Sequence, residues 1–77
     1  MRCFFDINDD RDVNGIDLPA RAVPEQARRL VLAVALEEFR LGGQVHLAVR
    51  NEADQQIYIA SLTIEGQWTA SISDRAV

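Results

Sequence analysis

The residues best suited to chemistry lie in an acidic segment near the start of the chain, Asp6–Asp17. Within it, residues 10–15 read D-R-D-V-N-G and match the D-x-D-x-N-G opening of a calcium-binding loop. In such a loop, alternate side-chain oxygens converge on the ion and the glycine makes a sharp turn. The candidate calcium ligands are therefore Asp10, Asp12 and Asn14.

The remainder of the calcium-loop pattern is missing. Its twelfth position, which should hold a bidentate glutamate, is Arg21, and its eighth, which should be apolar, is Asp17. The alternative is a solvent-exposed turn whose Asp and Asn side chains accept hydrogen bonds from the local backbone. The acidic segment is thus a candidate site for an ion or another small ligand, and calorimetric titration with calcium tests it.

No catalytic constellation is found elsewhere. His46 is the only histidine and Cys3 the only cysteine, and neither has partners spaced as in a nucleophilic or zinc site. The sequence also lacks the phosphate-binding, dinucleotide-binding and nucleophile-elbow motifs. We therefore predict a protein that is not an enzyme and uses no cofactor.

Composition restricts the class of protein further. The 77 residues suffice for one domain, and 48% apolar residues argue against disorder. The chain has 12 acidic residues against 8 basic ones, all Arg, so its acidic balance argues against nucleic-acid partners and anionic membranes. The longest apolar run, Leu30–Leu36, is far shorter than the roughly 20 residues of a membrane helix. Without a signal-peptide pattern, we expect a cytoplasmic protein with a reduced thiol.

The elements that must position these residues follow from periodicity and turn signals. The clearest strand alternates Val45, Leu47 and Val49 with other residues. In the last strand Ile57 faces away from Leu62, which a β-bulge could reconcile. The predicted strands are Arg2–Ile7, a short one within Gly15–Leu18, Gln44–Arg50 and Ile57–Ile64.

One helix is predicted over Pro24–Leu41, because Pro suits a first helical turn and Gly42-Gly43 supplies a C-terminal cap. The order β-(β)-α-β-β predicts an α+β fold, in which one helix packs on one face of a small antiparallel sheet of three to four strands. This single domain is expected to span residues 1–72, with residues 73–77 as a frayed tail.

The predicted helix carries more apolar surface than one sheet face can bury. A second stripe of Leu32, Leu36 and Phe39 lies well round the helix from the stripe expected to face the sheet. Either the sheet curls and the preceding connector covers this second stripe, or a second copy or another protein does. Phe4 adds apolar surface on the opposite face of the sheet, which favours a homodimer or a protein partner. The candidate interface residues are Leu32, Leu36, Phe39 and Phe4, and the first stripe comprises Ala27, Leu30, Val31, Val34 and Leu41.

Three short motifs carry a family resemblance. Residues 2–7 read R-C-F-F-D-I, residues 14–19 read N-G-I-D-L-P, and residues 49–52 read V-R-N-E. Together with the Ala-rich helix they resemble a family of small alphaproteobacterial proteins of unknown function that open with an R-Y-F-F-D-like strand. The resemblance covers residues 2–64 and departs from the family pattern at Cys3, where an aromatic residue is usual. It implies the same β-α-β layout and a bacterial cytosolic setting, and it implies no activity.

Overall fold

The computed structural model describes residues 1–38 and 42–70 of the chain. In these ranges the elements are β1 (Arg2–Ile7), β2 (Ile16–Asp17), a 3-10 turn (Ala20–Ala22), α1 (Val23–Glu38), β3 (Gly42–Arg50) and β4 (Gln56–Glu65). All neighbouring strands are antiparallel, in the order β2-β1-β3-β4, and α1 packs mainly against β3 and β4. The α+β class and the single helix on one sheet face, both predicted from the sequence, are confirmed.

Apolar alternation places the core between the sheet and α1. On the sheet side, Phe5 of β1 lies opposite Val49 of β3, and Leu47 of β3 is completely buried. On the helix side, the buried residues follow a spacing of four, so that one narrow stripe faces the strands. The buried core residues are Cys3, Phe5, Val23, Ala27, Val31, Ala35, Val45, Leu47 and Val49.

The end of the helix differs from the prediction. Gly42 and Gly43 do not form a helix cap; they begin β3 and pair with Glu65 and Ile64 of β4. Extended pairing directs the N–H and C=O groups of Gly43 to β4, and this competes successfully with the left-handed cap that glycine also permits. The predicted final helical residues 39–41 and the predicted tail 73–77 lie outside the described residues.

Strand β4 alternates between half-buried and exposed residues from Tyr58 to Glu65, whereas its first two residues, Gln56 and Ile57, are both exposed. Tyr58 and Leu62 are half-buried against the helix side, whereas Ile59 is exposed on the open face of the sheet. The register between β3 and β4 is irregular between Val49 and Arg50, at the start of β4, and regular from Tyr58 to Glu65, so Ile59 still faces away from Leu62. Strand β4 therefore carries apolar residues on both faces of the sheet, which is why the direction of its side chains was ambiguous in the sequence.

The outer side of α1 carries the second apolar stripe. Leu32 is 48% exposed and Leu36 is 84% exposed, whereas Phe39 lies outside the described residues. Phe4, the candidate on the opposite sheet face, is half-buried. The connector between β2 and α1 does not cover Leu32 or Leu36, so within the described residues this stripe meets solvent.

Candidate functional site

The acidic segment lies along the outer edge of β1. Because β2 is only two residues long, it leaves the N–H groups of Phe5 and Ile7 without a strand partner. The segment supplies one for each: Ile7 and Asp10 exchange backbone hydrogen bonds of 3.1 and 2.9 Å, and Phe5 N–H donates to Asp12 Oδ2 at 3.1 Å. A carboxylate oxygen thus takes the place of a strand carbonyl, which protects a sheet edge that would otherwise be open.

Asp12 organises the turn that follows. Its Oδ1 accepts hydrogen bonds from the N–H groups of Asn14 and Gly15, at 3.0 and 3.3 Å. Burial by itself raises the pKa of Asp12, but the backbone N–H groups of Phe5, Asn14 and Gly15 and the charge of Arg50 outweigh burial, so the pKa lies below its usual value of 3.8. This carboxylate is therefore held in its charged form by the fold.

Arg50 joins this segment to β3 and to the turn between β3 and β4. Its Nε donates to Asp6 Oδ2 at 2.9 Å, and its Nη2 donates to the backbone oxygen of Asp12 at 2.6 Å. Its Nη1 lies 3.7 Å from Asp54 Oδ1, and its guanidinium carbon lies 4.6 Å from the centroid of the Phe4 ring. The Arg50 side chain is only 13% exposed, so these are largely desolvated, charge-assisted contacts.

We call the group formed by Phe4, Asp6, Asp12, Arg50 and Asp54 the arginine network. Asp6 links Asp12 to Arg50 within this network, because its Oδ1 accepts the N–H of Asp12 at 2.8 Å while its Oδ2 binds Arg50. Among buried side-chain nitrogen and oxygen atoms in the described ranges, none lacks a hydrogen-bond partner. The arrangement is suited to fixing a loop on a sheet rather than to transferring a proton or attacking a substrate.

The three predicted calcium ligands have different roles in the structure. Asp12 directs both carboxylate oxygens at backbone N–H groups, Asp10 is exposed, and the backbone oxygen of Asn14 accepts from the guanidinium of Arg2. Across residues 1–38 and 42–70, His, Cys, Asp and Glu side chains form no group of three or more that could hold a metal ion. The calcium hypothesis stays a prediction, with the calorimetric titration as its test.

The structure also shows the surroundings of His46 and Cys3, the other residues considered for chemistry. His46 is exposed, and its backbone N–H and C=O both bond to Asn8, at 3.0 and 2.6 Å. Cys3 is a free, completely buried thiol, with its Sγ 3.7 Å from the carbonyl oxygen of Met1. Beside the acidic segment lies a cleft of about 320 Å³, where Phe5, Ile7 and Val34 form the apolar wall.

Sequence reasoning missed the central role of Arg50, although two signals for it were present. Alternation places Asp6 and Arg50 on the sheet face opposite the core, and Arg50 lies within one of the three motifs that carry the family resemblance. Their contact spans 44 residues of sequence and depends on β1 pairing with β3. That pairing cannot be deduced from local patterns.

A comparison with protein-family models gives one match, described as "Domain of unknown function (DUF6894)", over residues 2–63. The chain belongs to the DUF6894 family. Among the described elements, the match covers β1, β2, α1, β3 and all of β4 except its last two residues, and it contains the whole arginine network. The sequence resemblance is confirmed at the level of a family of unknown function, whereas its alphaproteobacterial origin and its strand motif stay predictions. Searches of curated proteins and of solved structures found no significant match to this DUF6894 domain.

One further property concerns membranes. Among the described residues of the DUF6894 domain, the helical part has neither the length nor the apolar content needed to cross a bilayer.

Replacing Asp12 with asparagine is expected to lower the free energy of unfolding by about 1–3 kcal/mol, because an amide cannot accept on both sides and leaves a backbone N–H unpaired.

The Asp12 carboxylate also makes the free energy of unfolding depend on pH. Since its pKa is lowered on folding, its stabilising effect is present above the unfolded value of 3.8 and is lost as pH falls through the folded pKa. Urea unfolding between pH 2.5 and 7 measures both effects.

Asp10→Asn is the matched control, because the Asp10 side chain is exposed and in the same segment. It should change stability by less than about 0.5 kcal/mol. Equal effects of the two substitutions would show that the hydrogen bonds to Asp12 do not hold the segment.

Proposed function

We propose that this DUF6894 domain is a non-catalytic module that self-associates into a homodimer through the outer side of α1. The observation that carries the proposal is the exposure of Leu32 and Leu36, at 48% and 84%, on a helix whose other side is already buried. Burying one leucine side chain stabilises an assembly by about 1.5–3 kcal/mol. Four leucines from two copies would therefore give a substantial driving force for association.

The alternative of intramolecular cover has less support. In the sequence, the connector before α1 was the segment available to cover the second stripe. Leu18 of that connector packs against the core cluster instead. A domain of this size buries a smaller share of its surface than a larger one, so association is a common way to gain stability.

The non-catalytic part of the proposal is supported by the arginine network. The carboxylates that come closest to an active-site cluster, Asp6 and Asp12, are engaged with Arg50 and with backbone N–H groups. The proposal includes a bacterial cytoplasmic setting, for which the free and buried thiol of Cys3 is the supporting feature.

Leu36→Glu tests the proposal. The wild-type protein should show twice the monomer mass in size-exclusion chromatography with light scattering, and the substitution should raise the dimer dissociation constant by at least about tenfold, because it puts a charge into an apolar contact. Gln26→Glu is the matched control, since it adds the same charge on another side of the helix and should leave the dissociation constant unchanged. A wild-type protein that stays monomeric up to several hundred micromolar would contradict the proposal.

A further inference from the structure

Strand β4 presents a regular set of backbone groups that have no partner among residues 1–38 and 42–70. The contacts of β1 fix the alternation: Phe5 and Ile7 direct their N–H groups to the outer edge, so Phe4 and Asp6 direct theirs to β3. Consistent with this, the backbone groups of His46 point to the β1 side.

The same alternation continues into β4. The odd-numbered residues of β3 bond to the even-numbered residues of β4, because Leu47 pairs with Ala60 and Val45 with Leu62. The N–H and C=O groups of Ile59, Ser61 and Thr63 therefore point away from the sheet.

This edge lacks the usual protection against pairing. In the described residues, β4 is the last strand of the sheet and is ten residues long. Its sequence, Q-I-Y-I-A-S-L-T-I-E, contains no Lys, Arg or Pro, the residues with which proteins commonly block an edge. By contrast, the acidic segment covers the outer edge of β1. One edge of the sheet is therefore closed and the other is open to another strand.

The open edge and the exposed helix stripe lie on the same side of the molecule. Val34 lines a cleft with Phe5 and Ile7, so that side of α1 faces β1. At 3.6 residues per turn, Leu32 and Leu36 lie about 160° and 200° round the helix from Val34, on the β4 side. The two unpartnered surfaces are therefore adjacent.

The directions of α1 and β4 also agree with a two-fold arrangement. Val23 and Pro24 at the start of α1 line an apolar cavity with Ile57 and Tyr58 at the start of β4. Since β3 starts beside Glu65 soon after α1, the helix and β4 run side by side in the same direction. A two-fold axis perpendicular to the sheet would make both the β4 strands and the helices of two copies antiparallel.

We propose that two copies of this chain pair β4 with β4 antiparallel across such an axis, which joins their sheets into one of eight strands with both helices on the same face. This inference rests on the self-association proposed above and specifies its geometry. Charge supports a second copy as the occupant, because the exposed residue Arg28 precedes the exposed leucines and the exposed residue Glu37 follows them. In antiparallel helices, the basic end of one lies beside the acidic end of the other.

Every register that keeps the helices on one face pairs odd-numbered residues of β4 with one another, and the registers centred on residues 60, 61 and 62 all use the N–H of Ser61. Ser61→Pro removes this outward N–H and keeps the bonds of Ala60 and Leu62 to β3. It should raise the dimer dissociation constant by at least about tenfold. Ser61→Ala, the matched control, keeps the N–H and should change the constant by less than about twofold.

Hydrogen exchange on the wild-type protein provides a test that needs no substitution. The amides of Ile59, Ser61 and Thr63 should become protected as concentration rises through the dissociation constant, whereas those of Ala60 and Leu62 should be protected at every concentration. Dimers with unprotected outward amides, or a folded Ser61→Pro that dimerises normally, would overturn the edge pairing and leave self-association standing. A wild-type monomer at all concentrations would overturn both proposals.

Discussion

Arg50→Ala is expected to lower the free energy of unfolding by about 3 kcal/mol. The substitution removes the partner of Asp6, whose side chain is only 19% exposed, and leaves a poorly solvated carboxylate without its cation. It also removes the hydrogen bond to the backbone oxygen of Asp12 and the contact with the Phe4 ring. The total stability of a chain of 77 residues is about 4–12 kcal/mol, so this loss is a large fraction of it. Urea unfolding followed by circular dichroism gives the value.

Two further substitutions distinguish the stabilisation by the arginine network from the effect of a positive charge alone. Arg50→Lys keeps the charge but loses the planar fork that reaches both Asp6 and the Asp12 carbonyl, so it should recover less than half of the loss. Arg11→Ala removes the ion pair with Asp54, in which both side chains are more than 60% exposed, and should cost less than about 1 kcal/mol. If Arg50→Ala and Arg11→Ala have the same effect, Arg50 does not organise the network.

Gly15→Ala is expected to destabilise the protein by about 2–3 kcal/mol, from two additive causes. Gly15 has a φ of +69°, a conformation that costs an alanine roughly 1 kcal/mol relative to glycine. A Cβ atom at this position would also lie 2.8 Å from Cε1 of Phe4 and 3.1 Å from the carbonyl oxygen of Cys3. The Phe4 ring cannot move away freely, because Arg50 lies over it. Thermal and urea unfolding measure the loss.

Gly43→Ala is the matched control for this position. An added Cβ at Gly43 meets nothing within 4 Å, so the substitution should be neutral or slightly stabilising. In a double-mutant cycle, Phe4→Ala should remove the steric part of the Gly15→Ala effect and leave the backbone part. Additive effects of Phe4→Ala and Gly15→Ala would contradict the proposed contact between the ring and the turn.

The strands and the helix were predictable because each has a strong local signal. Strand β1 was predicted with its observed limits, since polar Asn8 ends an apolar alternating run. The helix started within one residue of the prediction because Pro and Glu favour a first turn. The two glycines after it were misassigned, because glycine permits both a helix cap and an extended strand. Only the pairing with Glu65 and Ile64 decides between them.

The site was predictable only in part. The pattern of residues 10–15 correctly marked a structured turn with Asp12 and Gly15 at its key positions, and the alternative of local hydrogen bonds describes what Asp12 does. The ion suggested by the same pattern requires free oxygens, and a sequence motif does not reveal whether backbone N–H groups already occupy them. Arg50 was missed because its partners come from a strand that is distant in the chain.

The neighbourhood of β1 and β3 has a consequence for synthesis. Asp6 precedes its partner Arg50 by 44 residues, so at about 5–20 residues per second a ribosome adds Arg50 roughly 2–9 s after Asp6. During this interval Phe4 and Phe5 have no strand to pair with. The five aspartates of the acidic segment follow them directly, and nearby charge is a common means of keeping an apolar strand from aggregating. The carboxylates that later bind Arg50 and the backbone are thus also the charges nearest to this apolar strand while it has no partner.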